Sequence, residues 1–338
     1  MTEQEALARM VAPGTRRPGK YRQGVIQVHL TRACDKACYG CTQGSNLAGK
    51  TTFISPENFA AILDSLKGYW GVVGVFGGNP AMHPRFEDLC AILRERFPKD
   101  QCGLWCNNPL TPEKGAAMRA TFDPAVSNLN VHLDTLAARN FQAWWPESRP
   151  FGQYQDSRHS PVYVAMKDVV ADEGERWGLI SNCDINRHWS AMAAEFRGQP
   201  RAWFCEIAGA QSILHQDDPD YPDTGLDPTL RYDRDGAPLT NSAGEPLRVE
   251  AGHRWWELPM AAFAGQARKH CHECGVPLRG HGELAMSAEA GAKEQVGATH
   301  EAIFRPKRKG RAVELVTLRD QLGAPLAKMT AYLENGQK

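Results

Sequence analysis

Three cysteines fall within eight residues, in TRACDKACYGC, directly after the stretch VIQVHLT at residues 25–31. There Ile26, Val28 and Leu30 alternate with Gln27 and His29, and period-two alternation is the pattern of a strand. Cys34, Cys38 and Cys41 are therefore expected on the loop at a strand's C-terminal end. Thiolates at C-x3-C-x2-C spacing can wrap one soft metal centre, whether zinc, Cu(I) or an iron–sulfur cluster. Structural zinc wants a fourth ligand, and His29 is the histidine close by in sequence. A cubane held by three thiolates keeps one iron open for chemistry.

The following residues alternate strands with helices. Ser55-Pro56-Glu57 reads as a helix start, a capping serine followed by proline at the first helical position, and Phe59, Ile62, Leu63 and Leu66 supply one apolar stripe. VVGVFGG (72–78) reads as a buried strand, a helix is expected over about 84–97, and GLWC (103–106) reads as the next strand. A helical stretch over 111–121 precedes an expected strand NLNVHLD (128–134), and PVYVAM (161–166) reads as one more. Strands alternating with helices imply a parallel sheet with crossover helices, and in such sheets chemistry gathers at the strands' C-terminal ends. The cysteine triplet, Gly77-Gly78-Asn79-Pro80, Asn107-Asn108, Asn130, His132 and Asp134 all fall at such ends.

Composition narrows the class. Lys plus Arg and Asp plus Glu number 39 each, so the chain is formally neutral and carries no global pull toward polyanions. The polar start MTEQEALARM does not read as a signal peptide, and no 18-residue apolar run is present. A cytoplasmic protein with reduced thiols and no membrane association is the expectation. Of the ten cysteines, Cys90 lies on a helix's apolar face and Cys102 and Cys106 flank a short strand, so these three are assigned to the core.

The run HLTRACDKACYGC after the first strand, with VFGGNP ending the second, resembles the radical S-adenosylmethionine (SAM) enzymes over roughly residues 24–180. The resemblance implies an α/β fold, a partial (β/α)6 TIM-like barrel in which Cys34, Cys38 and Cys41 hold a [4Fe–4S] cluster. It also implies SAM bound at the open iron, and reductive cleavage to a 5′-deoxyadenosyl radical. Tyr39 and Gly40 in the cluster loop and Gly77, Gly78, Asn79 and Pro80 are the implied SAM-contacting residues. Gly40 stands where the family often has an aromatic residue, and Asn79 where it has Glu. The Asn79 side chain and nearby carbonyls are thus expected to receive the methionine amino group. Asn107, Asn130, His132 and Asp134 are candidates for ribose, carboxylate or substrate contacts. An electron donor such as flavodoxin or ferredoxin is the implied partner.

Beyond residue 180 the text SNCDINRHW, AWFCEIAGA and HCHECGVP places Cys183, Cys205, Cys271 and Cys274. This set resembles the shortened SPASM domain called twitch, which implies a smaller C-terminal auxiliary metal-binding domain with a second [4Fe–4S] cluster. Zinc held by the same thiolates is the alternative, and His270, His272 and His281 leave a mixed zinc site open. The expected divisions are an extension over 1–23, the barrel over 24–180, the auxiliary domain over 181–285 and a tail over 286–338. Within the auxiliary domain, 215–250 is an acidic insert with a turn at Asp235-Gly236. It reads as a solvated loop, or as a lid over a cationic substrate.

Because 24 residues precede the first strand, neither a cobalamin-binding domain nor a peptide-recognition domain is expected ahead of it. The expected reaction is hydrogen abstraction from a small polar substrate, ending in oxidation or rearrangement. Rearrangement of a modified nucleobase or of a group on nucleic acid is a second reading. The basic residues at 305–311 and the pairs Trp144-Trp145 and Trp255-Trp256 permit it, although packing is the expected role of most of these tryptophans. A metal-stapled binding protein without catalysis is the third.

Overall fold

The computed structural model describes residues 1–16, 24–36, 38, 41–47, 51–152, 162–188, 190–248, 252–280, 294–303 and 313–315. Helix α1 (Glu3–Arg9) opens the chain, closed at its start by a reciprocal capping box between Thr2 and Glu5. Strand β1 (Val25–Thr31), helix α2 (Pro56–Ser65), strand β2 (Val72–Gly77), helix α3 (Phe86–Arg94) and strand β3 (Cys102–Leu104) follow. Ser55 caps α2, its hydroxyl accepting from the Asn58 N–H at 3.2 Å, and Phe59, Ile62 and Leu63 are buried along its inner face.

Helix α4 (Pro112–Thr121), capped by Thr111, leads to α5 (Thr135–Trp144), α6 (Glu173–Ser181) and α7 (Asp184–His188). Strands β4 (Ala191–Phe196) and β5 (Gln199–Trp203) precede α8 (Glu206–Leu214) and α9 (Ala264–His270). A separate parallel pair is formed by β6 (Glu294–Val296) and β7 (Val313–Leu315).

The fold is mixed α/β around a five-stranded sheet of order β3-β2-β1-β4-β5. All its pairings are parallel except the β4–β5 hairpin. Its register lines up Gly103, Gly74, Gln27, Met192 and Trp203 in one row. The two glycines in that row leave a trough which the Trp105 ring fills: a Cβ on Gly74 would lie 2.6 Å from the ring, and one on Gly103 2.8 Å. Strands β4 and β5, from the segment expected to form the auxiliary domain, extend the first segment's sheet. Core side chains of both segments belong to one apolar cluster.

Two expected strands take other forms. Residues 128–134 make only isolated parallel bridges, Trp105 with Asn128 and Asn130 with Phe151. His132 (φ 48°) and Leu133 (φ 64°) then turn left-handed, which no strand can continue, and Asp134 caps α5 through its Oδ1, accepting from Leu136 and Ala137 N–H at 3.0 Å each. In the second, Val162–Ala165 are buried but form a turn leading into a 3-10 turn at Met166–Asp168. Val162 and Tyr163 give their carbonyls to Gly275 and Gly297 N–H, at 3.1 and 3.0 Å, instead of to a neighbouring strand. Burial and a run of apolar residues were right there; the hydrogen-bond partners came from the distant C-terminal segment.

In the acidic insert, Asp218, Asp223, Asp227 and Asp233 each accept from the backbone N–H two residues on. These aspartates build Asx turns, so their abundance has a local cause. Gly236 (φ 88°) completes the turn expected at Asp235-Gly236. Trp145, Trp255 and Trp256 are buried, the latter two with their indole N–H groups on Ser65, so packing is their role. No helix among the described residues is long and apolar enough to cross a membrane. The basic run 305–311 lies outside the described residues.

Candidate active site

The cysteine loop leaves β1 and is clamped from beneath by Gly77-Gly78-Asn79-Pro80. Gly78 N–H donates to Thr31 O at 2.8 Å and Asn79 N–H to Ala33 O at 2.7 Å. A Cβ on Gly78 would lie 2.3 Å from Ala33 O, and one on Gly77 (φ 145°) 2.4 Å from Thr31 O, so only glycine permits this approach. The loop's far end is held by the Tyr163 hydroxyl, which donates to Cys41 O at 3.1 Å. Arg32 donates to Gly44 O at 2.9 Å.

Around this loop the expected residues converge. Asn107 donates its amide to Cys34 Sγ at 3.4 Å, and its Oδ1 is buried without a partner among the described residues. Asn130 Oδ1 accepts from His132 N–H at 3.0 Å and shapes the turn. That turn brings His132 Nε2 to 3.8 Å from Cys38 Sγ. Asp134 Oδ2 pairs with Lys36 Nζ at 2.5 Å, and this hydrogen bond, before any other cause, holds the Asp134 carboxyl below its ordinary range. Cys34, Cys38 and Cys41 are half-buried. Burial, followed by the nearness of Cys41, pushes the Cys34 thiol up to about 12. A cation is needed to bring it into the thiolate form that ligates metals.

Two expectations change here. His29 is no fourth ligand to the triplet: it is buried in β1 edge-on to Phe76, ring centroids 5.6 Å apart, and His132 is the imidazole that reaches the loop. Asn79 is fully buried and both ends of its amide are engaged. Its Oδ1 accepts from Ala81 N–H and Cys106 Sγ, and its Nδ2 donates to Asp35 and Asn108 O. The side chain braces the site from below, its amide committed to the protein's own groups. Tyr39 and Gly40 lie outside the described residues.

The second cysteine group also converges. Cys183 sits between α6 and α7, Cys205 at the N-cap of α8 and Cys271 at the C-cap of α9, with Cys274 one turn beyond. All four are buried and unbridged, and they line one cavity of about 20 Å³ with Ile185, Phe204, Ile207 and Val276. Asn186 Nδ2 approaches Cys271 Sγ at 3.9 Å, and Val276 N–H donates to Cys274 Sγ at 3.4 Å. Burial pushes Cys183 up to about 11 and Cys205 to about 12, and holds Cys271 and Cys274 well above the ordinary thiol range.

His270 lines the same cavity, but its ring nitrogens are taken by Thr224 Oγ1 at 2.8 Å and Gln211 Oε1 at 3.1 Å. His272 Nδ1 accepts from Arg176 at 3.1 Å, and His281 lies outside the described residues. Among the described residues, both candidate imidazoles are thus engaged in hydrogen bonds of their own, and the groups that line the cavity with free sulfurs are the four thiols. Among the described residues no group of three or more His, Cys, Asp or Glu is drawn together tightly enough to hold a single metal ion as it stands. Cys90, Cys102 and Cys106 are buried core residues, as expected. Lys36 as a tether, and Arg16, wholly buried beside the second group, carry no sequence signal, because both sit among charged neighbours that read as surface.

No curated protein matches the chain significantly. A solved structure described as "Crystal structure of BtrN in complex with AdoMet and 2-DOIA" is similar at 14% identity, covering 58% of this chain and 82% of that one, with a TM-score of 0.37. Residues 28–148, the span that carries the cysteine triplet, Gly77–Pro80, Asn107 and the Asn130–Asp134 turn, match the model of the Radical SAM superfamily.

Proposed function

We propose that this protein is a radical SAM enzyme acting on a small polar substrate, with a second metal centre at Cys183, Cys205, Cys271 and Cys274. The observation that carries the reading is the docking of the cysteine loop onto Gly78 and Asn79 through two backbone hydrogen bonds, inside the span of the family match. The residues fit the group: three thiols share one loop, and the unpartnered Asn107 Oδ1 lies beside them, ready to accept from a ligand. When bound, a [4Fe–4S] cluster on Cys34, Cys38 and Cys41 with SAM would supply reductive C–S cleavage and a 5′-deoxyadenosyl radical, and an iron–sulfur cluster at the second centre, unlike zinc, would supply an acceptor for an electron released in oxidation.

The chain's own residues position these groups. Gly77 and Gly78 hold the loop close, Asn107 orients Cys34, and the Lys36–Asp134 pair ties the loop to the turn that carries His132. Sulfurs in a buried, mostly apolar pocket are kept from water and oxidants. The four-thiol set fits a second [4Fe–4S] cluster, with zinc as the other thiolate-loving occupant. We infer oxidation when the second centre is redox-active and rearrangement when it is not. A flavodoxin or ferredoxin is the proposed reductant, and the cytoplasm the proposed compartment.

The test is anaerobic reconstitution with iron and sulfide, then SAM and a reductant. The wild type should yield 5′-deoxyadenosine, and Cys38→Ala should not. A fully loaded wild type that leaves SAM intact would overturn the assignment. Cys274→Ala should lose one metal centre while keeping SAM cleavage, and the metal lost, iron with sulfide or zinc, identifies that centre.

A further inference from the structure

Arg16 is fully buried, and its contacts are all neutral. Nε donates to Val11 O at 3.0 Å, one terminal nitrogen donates to Phe204 O, and the other lies 3.7 Å from the Met260 sulfur. The guanidinium carbon stands 5.9 Å from the Phe204 ring centroid. Among the described residues Arg16 forms no ion pair with a carboxylate. Burying an uncompensated guanidinium is costly, and here burial lowers its pKa only to about 10, so it remains charged at neutral pH. Among the described residues the one buried carboxyl close by, Glu206, is held by the Ser190 hydroxyl at 2.6 Å and pushed up to about 7 by its own burial, so it is a poor counter-charge.

The ionisable groups that bear on Arg16 are Cys205, Cys183 and Cys271, in that order, followed by the Tyr69 phenol. Its acceptor Phe204 O belongs to the residue preceding Cys205, so the guanidinium lies against the wall of the four-cysteine cavity. Four thiolates around a dication, whether zinc or an oxidised cubane, carry two net negative charges. Such a charge in an apolar pocket needs a nearby cation as much as Arg16 needs an anion. We propose that Arg16 is the counter-charge of a four-thiolate metal centre at Cys183, Cys205, Cys271 and Cys274, a positioning residue that retains the metal and sets its electrostatics. This rests on the reading that these cysteines hold metal.

The experiment compares anaerobically purified full-length wild type, Arg16→Met, Arg16→Lys and Cys274→Ala. Metal release into excess chelator is followed, with the Cys274→Ala difference defining the signal of the second centre. Arg16→Met should release that metal about tenfold faster than wild type, while Arg16→Lys, which keeps the charge, stays close to wild type. If the centre is an iron–sulfur cluster, its midpoint potential in an EPR-monitored titration should become more negative in Arg16→Met and return in Arg16→Lys, because a lost cation disfavours the reduced, more negative state. Release from Arg16→Met as slow as from wild type overturns the proposal. So does equal loss from Arg16→Lys and Arg16→Met, which would assign Arg16 a hydrogen-bonding role only. Should Arg16→Met fail to fold, Arg16→Gln takes its place with the same outcomes. Equal metal in wild type and Cys274→Ala would overturn the metal reading itself, and that arm is independent of every Arg16 variant.

Discussion

Lys36, between the first and second cysteines of the triplet, places its ammonium 2.5 Å from Asp134, the residue that caps α5. One carboxylate thus does two jobs with separate atoms: Oδ1 closes the helix and Oδ2 tethers the cysteine loop. The two substitutions Asp134→Asn and Asp134→Ala separate them. Asparagine is as good a cap as aspartate, so Asp134→Asn should lose only the part-buried ion pair, about 0.5–1 kcal/mol. Asp134→Ala should lose about 1 kcal/mol more from the uncapped helix. Chemical denaturation measures both, and equal losses would show that the cap carries none of the stability.

Gly78 meets Ala33 so closely that any side chain must move the cysteine loop, since the obstructing atoms are backbone. Gly78→Ala is expected to cost about 1–3 kcal/mol by overpacking. Its sharper effect should be on the first metal site: lower iron content after reconstitution and slower 5′-deoxyadenosine formation, with the metal at Cys274 retained. Wild-type iron content and cleavage in Gly78→Ala would contradict the clamp.

What the sequence revealed of this site follows the range of the interactions. Ile26, Val28 and Leu30 announce β1, and the triplet's spacing announces a ligand loop, because both are local patterns. Ser55 and Pro56 mark the start of α2 for the same reason. Residues 128–134 looked like a strand since Leu129 and Val131 alternate correctly, but two left-handed residues and the Asp134 cap override the alternation. Val162–Ala165 had the apolar content of a strand, yet their carbonyls are claimed by Gly275 and Gly297, more than a hundred residues away. Arg16 was illegible for the same reason: its burial is decided by Phe204 and Met260, and nothing in its own neighbourhood signals it.

The trough over Gly74 and Gly103 predicts a specific non-additivity. Gly74→Ala alone drives a methyl group into the Trp105 ring, 2.6 Å from its edge, and should destabilise the protein by about 1–3 kcal/mol. Trp105→Leu alone leaves the trough underfilled. Together the two changes should cost less than the sum of the single losses, with a coupling of about 0.5–3 kcal/mol. Additive losses in denaturation experiments would mean that the ring does not depend on the glycine row.

His29 makes the last prediction, through acid. Burial first, and then the positive charge of Arg32, hold its imidazole down to about 3. A histidine whose folded pKa lies below its unfolded value of about 6.5 is protonated preferentially in the unfolded chain between those two values. Its contribution to stability is therefore complete above about pH 6.5 and declines as the pH falls toward 3. One such group gives a slope of up to about 1.4 kcal/mol per pH unit. His215, lowered to about 4 by burial, adds to the same slope over its upper part. Replacing His29 by Gln keeps a polar side chain of similar reach but removes the titration. The variant's stability, measured by denaturant unfolding at half-unit steps from about pH 6.5 to 4.5, should fall less steeply than the wild type's by up to about 1.4 kcal/mol per unit. Parallel curves would show that His29 is reached by solvent and protonated within the folded protein.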